Sequence, residues 1–173
     1  MRRNLKSGFC SICLLIACCV SCVAMSQKCF KSIEEARQSG ECVECLDLSR
    51  NRLESLPSEL FEFKDLKRLI LSRNRLSGGL DSLALLPKLR YLDLSSNYIE
   101  SLPESLAFSS LDSLIMWDNP CYGFADCFSR LDLRYLDLRA IQMNRAEQKK
   151  IKAMFPNARI RMDHPCNCGA RRE

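Results

Sequence analysis

The 173-residue chain has a single histidine, His164, and a single tryptophan. One histidine in a near-terminal segment, beside Pro165, leaves no serine or cysteine nucleophile with a sequence-evident base and orienting acid. No phosphate loop is present, because Ser77-Gly78-Gly79 lacks the lysine that such a loop needs. Charge of one sign is also scarce once the first residues are set aside. The chain carries 26 Lys and Arg against 21 acids, but Arg2, Arg3 and Lys6 fall in a leader-like segment, leaving about +2. That balance argues against a nucleic-acid surface. These absences predict a protein that is not an enzyme, needs no cofactor and takes no small-molecule substrate.

Cysteine, by contrast, is abundant, with 12 in the chain. Five of them (Cys10, Cys13, Cys18, Cys19, Cys22) lie in a stretch from Gly8 to Val23 that is almost wholly apolar or small. Three positive charges precede that stretch. This is the layout of a secretory signal, and the apolar run is short for a membrane span of about 20 residues. Two cleavage sites are legible. Leu15-Ile16-Ala17-Cys18 resembles the lipobox of bacterial lipoproteins, which implies a signal over residues 1–17, acylation of Cys18 and anchorage at the cell envelope. Ala24-Met25-Ser26 is a small-x-small site whose use would yield a secreted protein beginning at Gln27.

An internal repeat fixes the fold class. The pattern L-x-x-L-x-L-x-x-N-x-L fits Val43, Leu46, Leu48, Asn51 and Leu53, and returns from Leu66, Leu89, Leu111 and Leu133. Offsets between copies are 23, 23, 22 and 22 residues. The fifth copy has Ile141 where the others have asparagine. In each copy the x-L-x-L segment alternates outward and inward, as a short strand does, and no coil can bury its apolar face alone. The asparagines Asn51, Asn74, Asn97 and Asn119 can hold backbone groups of the turns in a ladder. Leu56-Pro57-x-x-Leu60 recurs as Leu102-Pro103-x-x-Leu106 in the second half of a coil, predicting short helical or extended turns.

On these anchors, residues 43–143 resemble the leucine-rich-repeat family, in the form found in small bacterial lipoproteins of that family. The resemblance implies an α/β solenoid, a right-handed horseshoe of about five coils with a parallel concave sheet and helical caps. It also implies a recognition module that binds a protein. Residues 18–30 are expected to be a linker and 31–42 an N-terminal cap, with a helix from Ser32 to Ser39. Residues 144–173 are expected to form the C-terminal cap and a cysteine-bearing tail. There Asn144-x-x-Glu147 opens a helix to about Phe155, and 157–160 can add a strand.

Outward strand positions form three columns. They read Cys45, Arg68, Tyr91, Ser113, Tyr135; then Asp47, Ile70, Asp93, Ile115, Asp137; then Ser49, Ser72, Ser95, Trp117, Arg139. An exposed sheet face should be polar, so the partner-binding set is expected to be Arg68, Ile70, Tyr91, Ile115, Trp117, Tyr135 and Arg139. Asp47, Asp93 and Asp137 in register could hold a cation, although aspartate is also an ordinary solvated filler of such strands.

The remaining cysteines suit disulfides in an exported protein. Cys29 with Cys42 could pin the N-terminal cap, and Cys121 with Cys127 could close a loop. Cys45, facing outward, is expected as a free thiol. Cys42 and Cys45 with His164, Cys166 and Cys168 imitate a zinc set. The two groups lie four coil steps apart, about 19 Å at about 4.8 Å per step, too far for one ion, and no metal is expected. Rival roles are a structural envelope protein without a ligand, and a thiol or metal protein using its cysteine pairs.

Overall fold

The computed structural model describes residues 28–165. The leader, Cys18, and the tail cysteines Cys166 and Cys168 lie outside the described residues. Seven short strands form one sheet in strict chain order, each parallel to its neighbours. They are β1 (Cys29–Phe30), β2 (Cys45–Asp47), β3 (Arg68–Ile70), β4 (Tyr91–Asp93), β5 (Ser113–Ile115), β6 (Tyr135–Asp137) and β7 (Arg159–Arg161).

The register is the repeat register. Leu46, Leu69, Leu92, Leu114 and Leu136 pair in one line across the sheet, continued by Phe30 at one end and Ile160 at the other. All five leucines are fully buried. Behind them, Leu48, Leu71, Leu94, Met116 and Leu138 form a second buried line, and Leu60, Leu83, Leu106 and Phe128 close the core from the convex side. The convex segments expected as helical or extended turns are 3-10 helices, at Ser58–Glu62, Asp81–Leu85, Glu104–Phe108 and Asp126–Arg130. Pro57 and Pro103 enter two of them in extended conformation, with the fixed φ near −65° that proline supplies.

The asparagine ladder forms as the pattern requires. Asn97 Oδ1 accepts the N–H of Leu76 in the previous coil, while its Nδ2 donates to Leu71 O at 3.0 Å and Leu94 O at 2.9 Å. Asn74 and Asn119 make the same set with their own coils. Asn51, in the first coil, is exposed, and its own N–H is held by Asn74. The residue before each ladder position adopts a left-handed φ between 50° and 61°: Arg50, Arg73, Ser96, Asp118 and Ala140. Its N–H then points to the next coil, as in Arg73 N to Ser95 O at 2.8 Å. Ala140 has no sixth repeat to reach, and the Asp163 carboxylate accepts its N–H at 2.6 Å instead.

Both capping helices form. Helix α1 (Ile33–Gln38) is N-capped by Ser32, whose Oγ accepts the Glu35 N–H, and buries Ala36. Glu35 differs from a full capping box in accepting the N–H of Lys31. Helix α2 (Arg145–Met154) has the complete Asn144–Glu147 box. Ile151 and Phe155 are buried, and Phe124 sets its ring edge-on to Phe128 and Phe155.

Four expectations are corrected. Residues 29–30, assigned to a linker, make strand β1; two residues are too few to show an alternation. Cys29 is bonded to Cys45, not to Cys42, because β1 lies beside β2 and places the two Cα atoms 4.5 Å apart as a direct cross-strand pair. Cys45 is therefore not a free thiol. Cys121 and Cys127 form no disulfide. Cys121 occupies the inward position held by leucine or isoleucine in earlier coils and is buried there, so it packs as a core residue.

The ladder's weight is open to measurement. Asn97→Ala removes four hydrogen bonds and leaves buried backbone groups unsatisfied, so it is expected to destabilise the fold by about 2–3 kcal/mol. Asn51→Ala is expected to stay within about 0.5 kcal/mol. Urea denaturation of the two variants compares them directly.

Candidate partner-binding face

The outward face of the sheet carries the three expected columns in the expected register. Much of it is small or acidic, and the acids are locally used. Asp47, Asp93 and Asp137 each accept the N–H of the residue two positions on, at 2.9–3.2 Å, and so end their strands in a side-chain turn. Lys31 also binds Asp47, and the Ser95 hydroxyl donates to Asp93 at 2.6 Å. No group of three or more potential ligands for a metal is found among the described residues. The aspartate register thus serves the turns.

Asp137 is the most committed of the three, only 2% exposed. Arg139 donates to it through Nε at 2.9 Å and Nη2 at 2.7 Å, and the Tyr135 hydroxyl lies 3.3 Å away. Burial alone would raise the Asp137 carboxyl, but the hydrogen bonds and charge of Arg139 prevail and hold it below the ordinary carboxylate range. Arg139 is raised in turn, chiefly by its hydrogen bond to Asp137.

Among the seven residues expected to contact a partner, six retain exposed surface. Arg68 stacks its guanidinium over the Tyr91 ring at 3.8 Å, which holds the half-buried ring in place. Burial pushes the Tyr91 phenol up. Ile70, Trp117 and Tyr135 are partly exposed, and Arg139 is the next residue after Trp117 in the third column. Ile115 is 7% exposed, closed in by its neighbours, and offers little area. Sequence reasoning passed over Arg159 and Arg161. They pair in register with Tyr135 and Asp137, so they extend the first two columns by one coil. Ile160 between them gave the signal, as an inward residue flanked by two outward ones. The face is therefore an aromatic centre, Tyr91, Trp117 and Tyr135, set between arginines.

A cavity of about 410 Å³ lies elsewhere, between α2 and the fourth coil, lined among others by Glu100, Tyr122, Phe124 and Met154. Two of its charged groups are engaged: Glu147 completes the helix cap and Lys150 pairs with Asp126.

With this geometry in view, the comparisons with known proteins agree. The leucine rich repeat family matches residues 43–99. Residues 43–99 are thus leucine-rich repeats, and the fold is that of a leucine-rich-repeat solenoid. Among solved structures it is similar to a leucine-rich-repeat protein of Leptospira interrogans, at 26% identity and a TM-score of 0.56, over 69% of this chain and 36% of that one. An internalin of Listeria monocytogenes shares the fold at 19% identity and a TM-score of 0.51, over 63% of this chain and 33% of that one. The chain thus spans about a third of the length of each. No curated protein matches it in sequence. Leucine-rich-repeat domains are typically protein-binding modules without catalysis.

The Asp137 site sets a pH dependence. A carboxylate with a depressed folded pKa contributes stability that is fully present above its unfolded pKa, about 3.9, and is lost as pH falls through the folded value. Asp137→Asn is therefore expected to flatten the acid limb of the stability curve below about pH 4. Thermal melts of both forms from neutral to acidic pH read this, and parallel acid limbs would contradict it.

Proposed function

We infer that the protein is an exported recognition module, lipid-anchored through Cys18, that binds a protein partner with its concave face. The observation that carries the binding part is that Tyr91, Trp117 and Tyr135 all keep exposed surface on a sheet face that otherwise carries many serines and aspartates. Solvent gives no reason to keep three large aromatic rings there, while interfaces take most of their energy from tyrosine, tryptophan and arginine. Arg68 is already stacked on Tyr91, so part of the face is ordered before a partner arrives. Nothing in the face assembles a nucleophile with a base, which fits a binder better than an enzyme.

Export is supported by two features. The apolar Gly8–Val23 run follows three basic residues, and the Cys29–Cys45 disulfide lies just downstream, a bond that persists in oxidising compartments. The lipobox-like Leu15-Ile16-Ala17-Cys18 supports anchorage over simple secretion. No helix among the described residues is long and apolar enough to cross a membrane, and acyl chains on Cys18 would hold the module at the envelope.

The intact mass of protein purified from membranes tests the anchor. A mass for residues 18–173 plus acyl chains is expected, whereas a chain starting near Gln27 without lipid would make the protein a secreted binder. The face is tested by Trp117→Ala with Tyr135→Ala. Capture of an envelope protein by the purified module is expected to fall by at least about tenfold in that variant. Phe108→Ala, on the convex side, is expected to leave it unchanged. Equal capture by both variants would favour the structural role without a specific ligand.

A further inference from the structure

The turns that follow the first two repeat strands carry four arginines on a two-by-two grid. Arg50 and Arg73 occupy the left-handed position before the ladder asparagine, and Arg52 and Arg75 the position after it. Adjacent coils stand about 4.8 Å apart in a parallel sheet, so equivalent arginines are neighbours. All four are exposed. Only Arg75 has an acidic partner, Glu54 at 3.6 Å, and both of those side chains are largely in water. Arg50, Arg52 and Arg73 form no ion pair among the described residues. Elsewhere on the N-terminal coils several basic side chains are matched by acids, Lys31 with Asp47, Arg37 with Glu62, Lys67 with Glu44 and Lys88 with Asp65, while Lys64 and Arg90 donate to backbone carbonyls and Arg68 stacks on Tyr91.

The backbone under this grid is rigid. Arg50 N donates to Ser72 O at 3.0 Å, Arg73 N to Ser95 O at 2.8 Å and Arg75 N to Leu53 O at 2.8 Å. Arg52 lies between Asn51 and Leu53, whose N–H groups are both held by Asn74, so all four arginines stand on hydrogen-bonded turns, which limits the ordering cost of binding. The grid also ends sharply. The same two positions hold Ser96 and Tyr98 in the third coil and Asp118 and Pro120 in the fourth. Tyr98 is 61% exposed and tied to the second coil by its N–H to Leu76 O. The row Arg52, Arg75, Tyr98 therefore passes from charge to an aromatic ring, while the row Arg50, Arg73, Ser96 ends on the carboxylate of Asp118.

We propose that this rim is a second docking site, separate from the sheet face, for a short acidic polypeptide segment that ends in an apolar side chain. Guanidinium groups pair with carboxylates through two parallel hydrogen bonds, and two coils span only a few carboxylates. Tyr98 receives the apolar end. A long uniform polyanion, such as a sulfated glycan or single-stranded nucleic acid, leaves the arginines after two coils, meets Asp118 in the fourth and gains less.

The test is fluorescence anisotropy of the disulfide-bonded protein with a labelled peptide of four glutamates followed by leucine and tyrosine. Binding that weakens with added salt is expected. Arg50→Glu with Arg73→Glu is expected to weaken it by about tenfold or more. Lys149→Glu with Lys152→Glu, the same charge change on α2, is expected to weaken it by less than about twofold. Should the reversed pair fail to fold by circular dichroism, Arg50→Gln with Arg73→Gln gives the same reading at smaller amplitude. Equal losses in the rim and α2 variants, absence of peptide binding, or equal or tighter binding of a heparin oligosaccharide or single-stranded DNA would overturn the proposal.

Discussion

The structure depends on one constraint: each turn leaves backbone groups that only the adjacent coil can satisfy. The ladder asparagines meet it by bonding at once to their own coil and the one before. Asn74 alone joins Leu48, Leu71, Asn51 and Leu53. The apolar side obeys the same logic, because each inward leucine is covered by its counterparts on both sides. Polar and apolar terms therefore share one period, and a coil detached from its neighbours loses both.

The ends show how that dependence is closed off. At the start, β1 and α1 cover the first coil, and a covalent bond from Cys29 to Cys45 holds β1 in the column where an ordinary coil would rely on hydrogen bonds alone. At the other end, Asp163 supplies with its side chain the acceptor that a further turn would have supplied with its backbone. Ile141, where the ladder asparagine is lost, is buried beneath the C-terminal cap.

Most of the fold was legible because its information is repeated. Leu46, Leu69, Leu92, Leu114 and Leu136 announce one another, and the face columns follow from their alternation. The helix caps were legible from Ser32 and from Asn144 with Glu147. What escaped was what occurs once. A two-residue strand at Cys29–Phe30 has no period to detect, and without it Cys45 has no visible partner. Cys121 looked like half of a disulfide, although its place in the repeat already marked it as inward. Arg159 and Arg161 fell beyond the last full copy of the pattern. For the face, residue type and column were readable, but the stacking of Arg68 on Tyr91 and the closure of Ile115 depend on side-chain packing.

The fixed spacing of the coils also acts as a ruler for whatever lies along the columns. An extended chain advances about 3.3 Å per residue, and the coils about 4.8 Å. Three residues of such a ligand span nearly the same length as two coils. The backbone of a strand laid across the sheet would therefore return to register with the columns at every third residue, but because its side chains alternate, the same side faces a column in register only at about every sixth residue, or about four coils. Tyr91 and Tyr135 stand two coils apart in one column, so this face would measure a ligand by the interval between its anchors as well as by their chemistry.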